Sequence, residues 1–232
     1  HPTTIYLVSM ELEEVIRTTF ACREFTDDPV TDETLYRILE LARFAPSGGN
    51  RQGAHIIVVR DRDIRQTLGE MCNRTLRVYG AQVDAGENPF NPITPSSVDP
   101  VEAVKKPDER FEMFERWGEL PVVLVVSIDM STVAAMDKEL DRVGVISGGS
   151  VYPLVWNILL AARTEGLAGV LTTAVVPEED EAKALLGLPD SHAIAAVIPL
   201  GVPVKQLTKL SRREVEEFTT INQYDGPRLT SI

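Results

Sequence analysis

The chain has 232 residues, 44% apolar but only 6% aromatic, enough for one domain around a mostly aliphatic core. Its formal net charge of −12 argues against a nucleic-acid partner, because an acidic surface repels phosphate backbones. No apolar run is long enough to cross a membrane as a helix, and the two cysteines, Cys22 and Cys72, stand far apart with no sign of a disulfide framework, so a cytoplasmic setting is expected.

Residues 1 to 10 (HPTTIYLVSM) have no basic segment ahead of their short apolar patch. They are read as a non-native remnant before a start at Met10, not as a signal peptide. Residues 11–232 are then a single domain. Leu12, Val15, Ile16 and Phe20 recur at helical spacing. Pro29 keeps the passage from Phe25 to Val30 extended. Thr31 suits the cap of a second helix whose first turn carries Asp32 and Glu33, where the dipole favours anions. Leu35, Ile38, Leu39 and Ala42 give that helix an apolar face, and Pro46 ends it.

Pro46 to Asn50 reads as a turn, His55 to Val59 as a strand, and Ile64 to Leu76 as a third helix. Residues 80 to 107 hold five prolines and little periodicity, and Phe111, Phe114 and Trp117 follow on a short helix. The whole stretch 80–118 is expected to form a lid insertion; a disordered surface insertion is the alternative. Val122 to Ile128 is apolar apart from Ser127 and so reads as a strand buried on both faces. Val151 to Ala162 is a helix apolar nearly all round, which places it centrally or at a subunit interface. Gly169–Thr173 reads as a strand, Glu178–Leu186 as a helix and Ala193–Leu200 as a strand, followed by a polar tail. The expected class is α+β, with a small central sheet of four or five strands flanked by helices.

The common catalytic motifs are missing. There is no GxGxxG after a strand, no GxxxxGK[ST] and no GxSxG. His55 and His192, the histidines outside the first ten residues, have no metal-ligand partner at helical spacing, so no metal site is expected. A chain with so few catalytic side chains is an enzyme only if a cofactor carries the chemistry. The acidic balance also makes each well-placed arginine informative, since an anionic cofactor must be held by local cations.

Several segments, in order, resemble the nitroreductase family. Thr18-Thr19-Phe20-Ala21-Cys22-Arg23-Glu24-Phe25 with Asp28-Pro29-Val30 resembles its opening motif. Ala45-Pro46-Ser47-Gly48-Gly49-Asn50-Arg51-Gln52 resembles its Ala-Pro-Ser-x-x-Asn-x-Gln motif, and Gly149 to Arg163 its long central helix. Gly166 to Thr173 resembles the strand that passes the flavin ring, Leu186 to Pro189 and Ile198 to Pro203 the closing segments, and Ser211 to Glu217 the C-terminal basic motif.

The resemblance implies an intertwined α+β homodimer with FMN at the subunit interface. Arg23 stands where the family places a cation near the flavin and its phosphate tail, a task that suits a guanidinium. Arg212, with Arg213 beside it, is the C-terminal phosphate candidate. Pro46, Ser47 and Gly48, from the partner subunit, face the isoalloxazine edge, and Asn50 and Gln52 offer paired donors and acceptors to its pyrimidine. Leu171, Thr172 and Thr173 lie along the central ring. Thr19, Phe20 and Ala21 depart from the family's Arg, Arg and Ser, which weakens the phosphate site, although Thr19 remains a cofactor-binding candidate. No aromatic follows Gln52.

The implied activity is transfer of hydride from NADH or NADPH to the flavin and then, by a ping-pong mechanism, to a small acceptor such as a nitroaromatic or quinone. No side chain is needed as acid or base, so no catalytic residue is named; Phe114 and Trp117 are candidates for stacking on the substrate. Two alternatives stand beside this reading: reductive dehalogenation, suggested by the threonines of Leu171-Thr172-Thr173, and a non-enzymatic flavin-storage protein.

Overall fold

The strand β2 (Val122–Asp129) sets the architecture, because seven of its eight residues are buried. Its side chains alternate between two cores. Val122, Leu124, Val126 and Ile128 enter the first; Val123 and Val125 enter the second. A strand so enclosed needs apolar residues on both faces, which accounts for the run Val122–Val126; the one buried polar residue, Ser127, lies 3.0 Å from His192 Nδ1. It pairs antiparallel with β1 (Ala54–Val59) on one side and β4 (His192–Gly201) on the other, and a two-residue β3 (Ala168–Gly169) completes the order β1-β2-β4-β3. The computed structural model describes residues 10–231, so the reading of residues 1 to 10 as a remnant falls, apart from Met10, outside the described residues.

The first core lies under α2 (Asp32–Ala42) and α5 (Tyr152–Thr164), which pack on each other. Thr31 caps α2 as its chemistry suggests: its hydroxyl oxygen accepts the Thr34 N–H at 3.1 Å. Leu35, Ile38 and Ala42 are the buried face of α2. The helix α1 (Leu12–Thr18) lies against α5. The second core lies under α3 (Arg62–Asp84), with the short α4 (Pro100–Val104), a 3-10 segment Glu109–Glu119, and α6 (Glu179–Leu186) around it.

Three elements differ from the sequence expectation. The third helix runs well past Leu76, to Asp84. The strand expected over Gly169–Thr173 is only β3 and a single bridge from Thr172 to Val197. The Thr172 hydroxyl oxygen accepts the Ala174 N–H at 3.2 Å, a local turn that curls the chain off the sheet. The segment expected to be a lid divides in three. Its start belongs to α3, its end is the 3-10 segment packed on α3, and only residues 85–108 are peripheral. That peripheral stretch is itself pinned, by Glu87 accepting from the Ser97 N–H at 2.7 Å and by Asp99 capping α4.

Both cysteines are free and buried. Burial pushes the Cys72 thiol up to about 12. Its neutral form is favoured in the fold, so it should resist alkylation at mildly alkaline pH until the protein is denatured. This thiol's contribution to stability falls as pH rises from the unfolded value of about 8.5 toward the folded one. A second expectation concerns Gly69 on α3. A Cβ there would stand 2.2 Å from the Phe114 carbonyl oxygen and 2.7 Å from the Trp117 Cβ. Gly69→Ala should cost about 1–3 kcal/mol in urea unfolding; an unchanged midpoint would mean that Glu109–Glu119 does not seat on α3.

Candidate functional site

The turn after α2 is a strained stretch of backbone beside a cavity. Gly49, Asn50 and Gln52 have φ of 61°, 52° and 51°. This left-handed region is free to glycine, tolerated by asparagine and costly for glutamine. Three clamps hold it. Ser47 Oγ accepts the Gln52 N–H at 3.0 Å, Ser150 Oγ accepts the Gly48 N–H at 3.2 Å, and Arg51 Nη1 donates to the Thr132 carbonyl at 3.2 Å. Beside it lies a cavity of about 440 Å³ lined by Tyr36 and Arg43 of α2, by Pro46, Ser47 and Gln52, and by Leu154 of α5. The Asn50 and Gln52 side chains are exposed, and the Gln52 amide touches only the Asn50 carbonyl, at 3.4 Å.

A second cluster forms where the chain leaves α1. The Cys22 N–H donates to Gly169 O at 3.0 Å and the Val204 N–H to Glu24 O at 3.1 Å, so Arg23 lies between β3 and the start of the tail. Arg23 is exposed and has no carboxylate at ion-pairing distance among the described residues; its one hydrogen bond goes to Ala21 O at 3.4 Å. Thr172 is half-buried with both backbone groups bonded to Val197, at 3.0 and 2.8 Å, so its hydroxyl proton is the donor it has left. Leu171 packs against the first core and Thr173 is exposed.

The structure therefore sets the backbone around Arg23 and the Leu171–Thr173 segment along the β3 edge of the sheet. It sets Pro46, Ser47, Gly48, Asn50 and Gln52 elsewhere. The turn is tied to Ser150, at the start of α5, whereas Arg163 in the last turn of α5 donates from Nε to Thr18 Oγ1 at 3.0 Å. Thirteen helical residues separate these two places by about 20 Å.

Two expectations need correction. Thr19 is buried at 7% exposure, and its hydroxyl donates to the Val15 carbonyl at 2.7 Å, so it holds no proton out to a phosphate. Phe114 and Trp117 do not line a substrate space. They are 4% and 0% exposed, stacked with centroids 5.2 Å apart inside the second core, because α3 leaves room for them at Gly69. Arg212 and Arg213 stay in the tail. Arg212 donates to Ser211 O at 2.7 Å, Arg213 lies 5.8 Å from the Phe218 ring, and no hydrogen bond among the described residues ties either to Thr19–Arg23. His192 is satisfied locally, with Nδ1 3.0 Å from the buried Ser127 hydroxyl.

Sequence reasoning missed three contributors. Ser150 holds the turn, while Arg163 and Gln206 meet at Thr18, where Gln206 Nε2 donates to the backbone carbonyl at 3.0 Å. Only Arg163 gave a signal, as a cation in the last turn of a helix, and that position has an ordinary dipole explanation.

The sequence model of the Nitroreductase family matches residues 16–202. The chain is 30% identical over 184 residues to an NADH dehydrogenase of Thermus thermophilus, covering 79% of this chain and 82% of that protein. It is 25% identical over 227 residues to the nitrobenzene nitroreductase of Ectopseudomonas oleovorans, covering 90% and 96%. Its fold is similar to that of the NADPH:FMN oxidoreductase from Vibrio harveyi complexed with NAD+, with a TM-score of 0.63 at 21% identity, covering 92% and 77%. The small antiparallel sheet, the flanking helices and the match over most of the chain agree: the protein belongs to the nitroreductase family.

Proposed function

We propose that the protein is a homodimeric, FMN-dependent oxidoreductase that takes hydride from NADH or NADPH and passes it, in a ping-pong cycle, to a small electron-poor acceptor such as a nitroaromatic or quinone. The observation that carries this reading is the separation of the two clusters by the length of α5. One flavin cannot span the cationic end at Arg23 and the strained turn at Gly49–Gln52 of the same chain. A two-fold partner that runs its own α5 alongside brings its turn to the first chain's Arg23.

The surface suits such a partner. Tyr152 and Trp156 of α5 are 41% and 44% exposed, and Tyr36 and Leu41 of α2 and Phe44 after it are also exposed. Large apolar side chains left open on two neighbouring helices mark an interaction surface.

The residues fit the cofactor. In a chain of net charge −12, Arg23 is left without a carboxylate among the described residues, as binding of an anionic tail requires. The turn keeps the Asn50 and Gln52 amides exposed, with the mixed donors and acceptors that a flavin pyrimidine pairs with. The Thr172 hydroxyl keeps its proton for a ring nitrogen. When bound, FMN supplies the hydride chemistry. The chain's own part is to bind, orient and exclude water.

Three outcomes test this. The purified protein should bind FMN, its visible absorbance should bleach with NADPH or NADH without oxygen, and a quinone or nitroaromatic should restore it. Bound flavin that never bleaches would leave a storage role instead. Trp156→Glu should convert a dimer to monomers in sedimentation and weaken FMN binding at least tenfold in parallel; a monomer that keeps full affinity would sink the shared-site reading. Gln52→Gly should leave stability unchanged or raise it by about 1 kcal/mol, because it relieves the left-handed strain, while FMN affinity falls.

A further inference from the structure

We propose that Arg163, in the last turn of α5, is a second cation that, with Arg23, holds the phosphate tail of the flavin, a role that rests on the FMN reading above. The need is on the page. Thr19 keeps its hydroxyl on the Val15 carbonyl, and Phe20 and Ala21 carry no polar side-chain atom. Thr19, Phe20 and Ala21 therefore offer a phosphate no side-chain donor.

Arg163 reaches that place from another element. Its Nε donates to Thr18 Oγ1 at 3.0 Å, across 145 positions of sequence. Thr18 in turn donates to Glu14 O at 2.7 Å, and its carbonyl accepts from Gln206 Nε2 at 3.0 Å. Three segments thus meet at one residue: the end of α1, the end of α5 and the start of the tail. The anchor at Nε fixes the plane of the guanidinium and leaves both terminal nitrogens without a hydrogen-bond partner among the described residues. A fork of that kind binds phosphate through two parallel bonds.

The charge pattern points the same way. Glu165, two residues on, is the nearest carboxylate in sequence, and it is bound by Arg37 at 2.7 Å instead. Neither Arg163 nor Lys205, next to Gln206, has a carboxylate partner among the described residues. A cation present only for the α5 dipole would turn toward its own last carbonyls; Arg163 turns toward α1.

The test compares FMN with riboflavin, which differ in the phosphate alone, by flavin fluorescence titration of the full-length protein. The unaltered protein should prefer FMN at least tenfold. Arg163→Gln, whose uncharged amide ends about where Nε stood, should lose tenfold or more of FMN affinity with riboflavin unchanged, and Arg163→Lys should fall between. Equal losses for both flavins, or none for either, overturn the assignment. A measurement without substitution covers the case in which Arg163→Gln does not fold. FMN, but not riboflavin, should protect Arg163 of the unaltered protein from phenylglyoxal, and equal protection by both overturns the assignment. If the unaltered protein binds neither flavin, the FMN reading itself fails.

Discussion

The length of α5 is the constraint on which the site depends. A helix of thirteen residues is rigid over about 20 Å. Ser150, two residues ahead of it, holds the strained turn, and its last turn holds the end of α1 through Arg163. The same helix buries Val155, Ile158, Leu159, Ala161 and Ala162 in the first core, so it cannot shorten or tilt without disturbing β2. Core packing thereby sets the spacing of the two clusters.

The turn is affordable because its neighbours over-determine it. Left-handed backbone at Asn50 and Gln52 costs about 1–2 kcal/mol per residue, less for asparagine. The hydrogen bonds from Gly48, Arg51 and Gln52 return about 0.5–1.5 kcal/mol each. Gly53 lets the chain pass close to the end of β2, where a Cβ would fall 1.8 Å from Thr132 Oγ1. The turn thus holds its shape before any ligand arrives, which reduces the ordering cost of binding.

The fold was legible wherever one element met one simple rule. The apolar run Val122–Val126 gave β2, the Thr31 cap gave α2, and a stretch apolar nearly all round gave α5. The length of α3 was hidden because several of its buried positions are polar. Asn73 and Gln82 are 3% and 6% exposed, yet Asn73 donates to Phe111 O at 3.1 Å and Gln82 accepts the Phe90 N–H at 3.0 Å. These side chains satisfy the backbone of the following irregular segment. That is why a segment without periodicity still docks, and why its aromatics Phe114 and Trp117 became core. For the site, the motif around Asn50 and Gln52 could be read in the sequence, but the hydroxyl of Thr19 could not be followed to Val15. Nor does any local pattern announce a contact between Arg163 and Thr18.

Charge distribution links these observations. On this acidic chain most arginines find carboxylates: Arg37, Arg74 and Arg110 each engage two. Such pairs on the surface add little stability, but they show how readily this sequence can neutralise a cation. Arg23 and Arg163, at the two sides of the α1 exit, are among the arginines that stand outside that pattern, and Glu165, the carboxylate nearest Arg163 in sequence, is engaged by Arg37. An unpaired cation on an acidic protein retains its attraction for an anion and concentrates it locally against the overall field.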